Sequence, residues 1–166
     1  MARTQITHNQ PFTLEYYCPE GAPSSATLTL YTSGDATFSG ETWPLSLTLG
    51  ASTLTNQELA RKGGVNLSVV STAEFAARER YMLDLPNGVR REIRLEGVDT
   101  SAGDLVLDGQ PSFVIPVGSA IASHRLAYTL STSQTATKRR YCRAVWAYTV
   151  DGRTYVKQTF FDIVRQ

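Results

Sequence analysis

Apolar and polar residues alternate along most of this chain in short runs, punctuated by glycine, proline and aspartate. A period of two places successive side chains on opposite faces of an extended strand. The pattern is sharpest near the C-terminal end. There Tyr141, Cys142, Arg143, Ala144, Val145, Trp146, Ala147, Tyr148, Thr149 and Val150 lead into Asp151-Gly152, and a second aromatic and β-branched run continues to Phe161. Two such runs split by Asp-Gly are the strongest short-range hairpin signal a sequence carries. A two-residue turn pairs Val150 with Arg153, Tyr148 with Tyr155, Trp146 with Lys157 and Cys142 with Phe161. One face then carries Cys142, Trp146, Tyr148, Val150, Tyr155 and Phe161, and the other carries Val145, Ala147, Val156 and Phe160. A half-solvated hairpin has one apolar and one polar face, whereas this one is apolar on both. It is therefore either central in a two-layer core or covers a partner with its second face.

The same alternation predicts strands over residues 12–16, 26–31, 45–49, 65–69 and 126–130, with a short one between turns in 103–109 and an apolar one over 113–118, ended by proline and glycine. Residues 55–62 read as a loop. Ser71 to Glu74 has capping-box spacing, which predicts one helical turn, while Phe75, Ala77, Tyr81, Leu83 and Leu85 also fit a long strand. A second hairpin is set by its faces. A two-residue Asn87-Gly88 loop mixes apolar and charged positions, whereas a three-residue Pro86-Asn87-Gly88 loop sets Leu85 opposite Val89 and Tyr81 opposite Ile93. The longer loop is expected, with Arg90, Glu92 and Arg94 facing solvent or a partner. Short strands at regular spacing predict an all-β fold, an antiparallel β-sandwich or barrel with hairpins and little helix. No repeat or linker divides residues 1–166, so one domain is expected, with residues 1–10 a flexible arm and residues 131–140 a mobile loop.

A chain of 166 residues, 42% hydrophobic and 19% charged, is long enough to bury a core without metal or disulfide staples. A net charge of +1 provides no general attraction to nucleic acid or acidic membranes, so any such contact needs a local patch. No apolar run is long enough to span a bilayer, and the first ten residues carry no apolar stretch, so folding in a cytoplasm is expected. In such a reducing compartment Cys18 and Cys142 read as buried thiols, while a disulfide between them, which needs the first strand to lie beside the last hairpin, stays open.

Candidate chemistry is sparse. His8 and His124 have no spaced partners and read as solvated or half-buried side chains. No nucleophile elbow, phosphate loop or dinucleotide fingerprint is present, and the aspartates at 104 and 108 sit in turns without calcium-loop spacing. No enzyme activity, cofactor or metal is therefore expected. Lys138, Arg139 and Arg140, continued by Arg143, form the sharpest charge feature, facing either solvent, a partner or a phosphate backbone. Trp146 at mid-strand reads as core. Trp43, beside Pro44 on a loop, is an interface candidate or a cover for its own sandwich.

The stretch from Arg143 to Tyr155 with Phe160, Phe161, Asp162, Ile163 and Val164, together with Ile115 to Ser119 and Arg125 to Tyr128, resembles small β-rich virion proteins of tailed bacteriophages and prophages. That resemblance covers about the last third of the chain. It implies a ring-forming head–tail connector, or neck component, that docks on a portal or adaptor ring and joins the tail. It further implies assembly in the bacterial cytoplasm, residence in the virion, partners among other virion proteins, and at most weak non-specific contact with DNA. Trp43, Val145, Ala147, Val156 and Phe160 are then the interface candidates, and Lys138, Arg139, Arg140 and Arg143 the residues lining a lumen or facing a partner. Two other readings remain open. One is a capsid-decorating or tail protein. The other is a carbohydrate-binding β-sandwich module, with Tyr16, Tyr17, Tyr31 and Trp43 as its aromatic platform.

Overall fold

Alternation carries through into the structure, a computed structural model that describes residues 2–165. The strands in chain order are β1 (Thr4–Thr7), β2 (Phe12–Tyr17), β3 (Ser25–Tyr31), β4 (Leu45–Ser46), β5 (Ser52–Leu54), β6 (Asn66–Ser68) and β7 (Arg80–Asp84). Then follow β8 (Arg90–Asp99), β9 (Asp104–Leu107), β10 (Ala120–Ala122), β11 (Arg125–Leu130), β12 (Arg139–Val150) and β13 (Arg153–Val164). The fold is all-β, and no helix occurs among the described residues. The strands belong to two compact units. One takes the chain up to Tyr17, Pro23–Leu49 and everything from Leu126 on; the other takes Cys18–Ala22 and Gly50–Arg125.

The first unit is built on a five-stranded sheet in the order β1-β13-β12-β3-β4 and a two-stranded sheet of β11 and β2. Its centre is the terminal hairpin. Asp151 and Gly152 both take positive φ, 50° and 75°, the combination that a two-residue turn of matching twist requires. The register that follows is the one its faces predict, with Val150 opposite Arg153, Tyr148 opposite Tyr155 and Cys142 opposite Phe161. The inner face buries Cys142, Ala144, Trp146, Tyr148, Val150 and Phe161, joined by Ala26, Leu28 and Leu30 from β3. Tyr16 of β2 stacks on Trp146 with ring centroids 6.2 Å apart and leans on Tyr148 at 5.9 Å, so the small sheet closes over the large one. The Trp146 indole N–H is satisfied inside this core, donating to Thr159 Oγ1 at 2.9 Å.

The second unit is a six-stranded sheet in the order β5-β10-β7-β8-β9-β6. It curls until its two edges meet: Val70 N donates to Leu54 O at 2.9 Å, Asn56 N to Ser68 O at 3.1 Å, and Thr55 bridges Val69. Closure removes the exposed strand edges and encloses Leu67, Leu83, Leu95, Leu105, Ile115 and Ile121. The β7–β8 hairpin takes the three-residue loop, with Leu85 N bonded to Val89 O at 2.8 Å and Tyr81 opposite Ile93. The segment Cys18–Ala22 is held here by Arg90. Its guanidinium reaches Asp84 at 2.5 and 3.1 Å and donates to Glu20 O, passing directly beneath Gly21, whose φ is 140°.

Several expectations are corrected. The expected arm over residues 1–10 is instead strand β1, paired in parallel with β13, because Ile6 finds a fully buried place opposite Ile163; Met1 lies outside the described residues. His8 is tied to Ala136 O at 2.7 Å. The expected mobile loop at 131–140 contains a hydrogen-bonded turn. Thr135 is buried in it and donates to Gln10 O at 2.9 Å, and β12 begins at Arg139. The strand expected over 45–49 keeps ladder pairing at Leu45–Ser46, with one more bond from Leu47 N to Ala26 O at 2.9 Å. That over 113–118 shrinks to a single bridge from Ile115 to Leu59, where Pro116 has no N–H to extend the ladder. Residues 71–79 form turns rather than a helical turn or a long strand, with Glu74 and Arg78 at positive φ.

Candidate functional site

The outer face of the β13-β12-β3 ladder is the surface the hairpin leaves uncovered. Register places its residues in rows across the three strands. Thr27, Ala147 and Val156 form one row, Thr29, Val145 and Gln158 the next, and Ser25, Thr149 and Thr154 a third. None of these nine side chains is charged. Val156 is 60% exposed in the middle of the hairpin, while Val145, Ala147 and Phe160 are half-buried. The charge-free patch ends at Arg143, which pairs with Asp35 at 2.8 Å and lies over the Tyr31 ring at 4.3 Å. An uncharged, partly apolar sheet face is the kind of surface whose centre a protein neighbour can dry without stranding a charge. Four of the sequence candidates, Val145, Ala147, Val156 and Phe160, thus share this face.

Trp43 is not on it. Its indole N–H donates to Phe38 O at 2.7 Å and its ring meets Tyr128 edge-on at 6.0 Å, so the loop tryptophan folds back over its own unit. The aromatic platform also fails to assemble. Tyr16 is committed to Trp146, Tyr17 follows it on the opposite side of β2, Tyr31 lies beneath Arg143, and Trp43 is held by Phe38 and Tyr128.

The basic run divides. Lys138, Arg139 and Arg140 line an open depression of about 430 Å³ at the open end of the hairpin, floored by Ile163 and Val164 and completed by Arg165. Arg143 belongs to the outer face instead. The division arises from a β-bulge: Arg139 pairs with Ile163 and Cys142 with Phe161, so Arg140 and Tyr141 together face Asp162 alone. Tyr141 takes a φ of 61°, and its amide donates to Asp162 Oδ1 at 2.7 Å. Without the extra residue, Arg140 would fall in phase with Cys142 and point into the core. With it, Arg140 and Tyr141 are both exposed, and Arg3 covers one side of the Tyr141 ring at 4.2 Å. Sequence reasoning missed Arg3, Tyr141 and Arg165. Extending the hairpin register past Cys142 would have brought Arg165 beside Lys138, but nothing local announces the bulge.

The remaining titratable groups are structural in placement. His124, expected to be solvated or half-buried, is 1% exposed and donates to Glu92 Oε2 at 2.8 Å, with Arg80 3.5 Å from the other carboxylate oxygen. Burial pushes the Cys18 thiol up to about 12, aided by the Glu20 carboxylate. Burial likewise raises Cys142 to about 11; Arg139 opposes that rise and Asp162 adds to it. Both thiols are free and buried. Among the described residues no group of three histidine, cysteine, aspartate or glutamate side chains converges to hold a metal ion, and no helix is long and apolar enough to cross a membrane. In comparisons with known proteins, no family model, curated protein or solved structure matches this chain.

Proposed function

We propose that this protein is a structural component of a tailed-phage virion, a ring-forming head–tail connector that joins a portal or adaptor ring to the tail and performs no catalysis. One observation carries the reading: the uncharged outer face of the terminal hairpin, centred on Val156 and Ala147 and flanked by Val145 and Phe160. A neighbouring subunit seated there takes Val156 out of water and leaves no buried charge behind. Cyclic packing also gives each subunit a second, different surface to present to the next, as a closed ring requires. The resemblance of residues 143–155 and 160–164 to small β-rich virion proteins supports the choice of a phage particle as the setting. On this reading, Lys138, Arg139, Arg140 and Arg143 face the lumen or an adjoining ring.

The test is the mass of the purified protein by light scattering, alone and with portal-bearing particles. The expected result is a subunit that forms a ring on the portal vertex, and whose Val156→Asp variant stays folded but no longer assembles. A protein that remains monomeric and indifferent to particles overturns the proposal, as does a Val156→Asp variant that assembles normally.

A further inference from the structure

The depression at the open end of the hairpin is basic. Lys138, Arg139, Arg140 and Arg165 line it, and among the described residues none of the four is within ion-pair distance of an acid. Asp162, the acid at the bulge, is turned to the Tyr141 amide at 2.7 Å and to Arg3 at 3.9 Å. Arg139 is the inner member. Its guanidinium lies 5.2 Å over the Phe38 ring, and its Nε is buried without a hydrogen-bond partner. A buried N–H of a charged group left unbonded is costly, and an oxyanion seated in the depression would supply the acceptor it lacks. Next to Arg140 in the chain, and just outside the lining of the depression, the bulge leaves Tyr141 58% exposed, with Arg3 over its ring at 4.2 Å. The same irregularity therefore exposes a cation of the depression, Arg140, and an aromatic ring, Tyr141, at consecutive positions.

From this combination we infer that the depression is a contact site for a single-stranded nucleic-acid backbone, with phosphates on Lys138, Arg139, Arg140 and Arg165 and one unstacked base on Tyr141. Uncompensated cations alone suit any polyanion. The exposed ring beside them is what favours nucleic acid over an acidic protein surface, because a base has a π-face to stack and a carboxylate does not. Recognition at this site is independent of sequence, since the aligned groups address phosphate charge and a generic ring. The inference goes beyond the connector reading and does not depend on it: it concerns the isolated subunit, and ring assembly does not enter its test.

The probe is a fluorescein-labelled single-stranded 20-mer, with poly-L-glutamate as the carboxylate alternative, and anisotropy is read across a salt series. Neutralising about four phosphates on a single strand predicts a slope near −2.8 in log affinity against log salt, a loss of about fifty-fold between 50 and 200 mM. Lys138→Ala and Arg140→Ala should each flatten that slope by about 0.7, while Arg153→Ala, which removes an exposed cation at the other end of the hairpin, leaves it unchanged. Tyr141→Ala should weaken the oligonucleotide by about tenfold and leave poly-L-glutamate unaffected. The exposed lysine and arginine variants keep the test decisive if the Tyr141 variant fails to fold. Absence of salt-dependent binding, an Arg153→Ala effect as large as that of Arg140→Ala, or equal Tyr141→Ala losses for both polyanions would each overturn the inference.

Discussion

Replacing Gly21 with alanine should destabilise the protein well beyond what a single methyl group ordinarily costs. A Cβ built at this position lies 2.5 Å from Arg90 Nη1 and 2.7 Å from Cζ, inside any tolerable contact. The obstruction is the end of a flexible side chain, but that end is pinned by two bonds to Asp84 and one to Glu20 O. Moving it forfeits those bonds. The Asp84 pair is partly exposed, with side chains 28% and 36% accessible, so it is counted as a surface pair of about 0.5 kcal/mol. The bond to Glu20 O adds about 1 kcal/mol. The backbone at φ 140° adds about 1–2 kcal/mol for any residue with a side chain. The total is about 3 kcal/mol, which at a urea m-value of about 2 kcal/mol/M moves the midpoint down by about 1.5 M. Urea titration followed by tryptophan fluorescence reads this directly. Repeating Gly21→Ala in an Arg90→Ala background should leave only the backbone part, so the two changes must be non-additive by about 1.5 kcal/mol. A midpoint within experimental scatter of the parent, or strict additivity with Arg90→Ala, would refute the reasoning.

Two further outcomes are expected. Because unfolded thiols ionise near 9.0 whereas burial holds Cys18 and Cys142 protonated to about 12 and 11, the folded state binds more protons above pH 9. Stability contributed by the two thiols is thus intact below pH 9 and lost as pH rises toward 11–12, by up to about 1.4 kcal/mol per thiol per pH unit. Urea midpoints of a Cys18→Ala/Cys142→Ala variant should fall less steeply than the parent between pH 8.5 and 10.5, and parallel curves would contradict this. Thr159→Val should cost about 1–3 kcal/mol by stranding the buried Trp146 N–H. In a Trp146→Phe background the same change should be nearly silent in thermal unfolding, and an equal loss in both backgrounds would show that the hydrogen bond is not the cause.

Both hairpin registers were legible because two independent signals agreed at each: the turn residues Asp151-Gly152 and Pro86-Asn87-Gly88, and the requirement that apolar residues share a face. The outer-face candidates Val145, Ala147, Val156 and Phe160 followed from the same count. What escaped the sequence is what depends on distant partners. Thr4 to Thr7 carry almost no apolar pattern, and become a strand only because β13 offers a free edge and a pocket for Ile6. The bulge at Arg140 and Tyr141 is likewise set by Asp162, more than twenty positions along the chain, and it decides which of the basic residues gather. Trp43 looked available because a loop position says nothing about where its ring comes to rest.

The sheet that holds the candidate face takes β1 and β3 from before the long excursion through Gly50–Arg125, and its central pair, β12 and β13, from after it. During synthesis at about 5–20 residues per second, β3 therefore waits for roughly ten seconds before its hydrogen-bonding partner leaves the ribosome. In that interval Leu28 and Leu30 have no inner face to join, while every strand of the curled sheet around Leu67 and Ile121 has already been made. A nascent chain stalled before Arg139 would carry one complete folding unit and one set of sticky, unpaired strands. The most aggregation-prone state of this protein is thus a matter of translation timing, and silent codon changes between residues 50 and 139 acquire a physical effect on its yield.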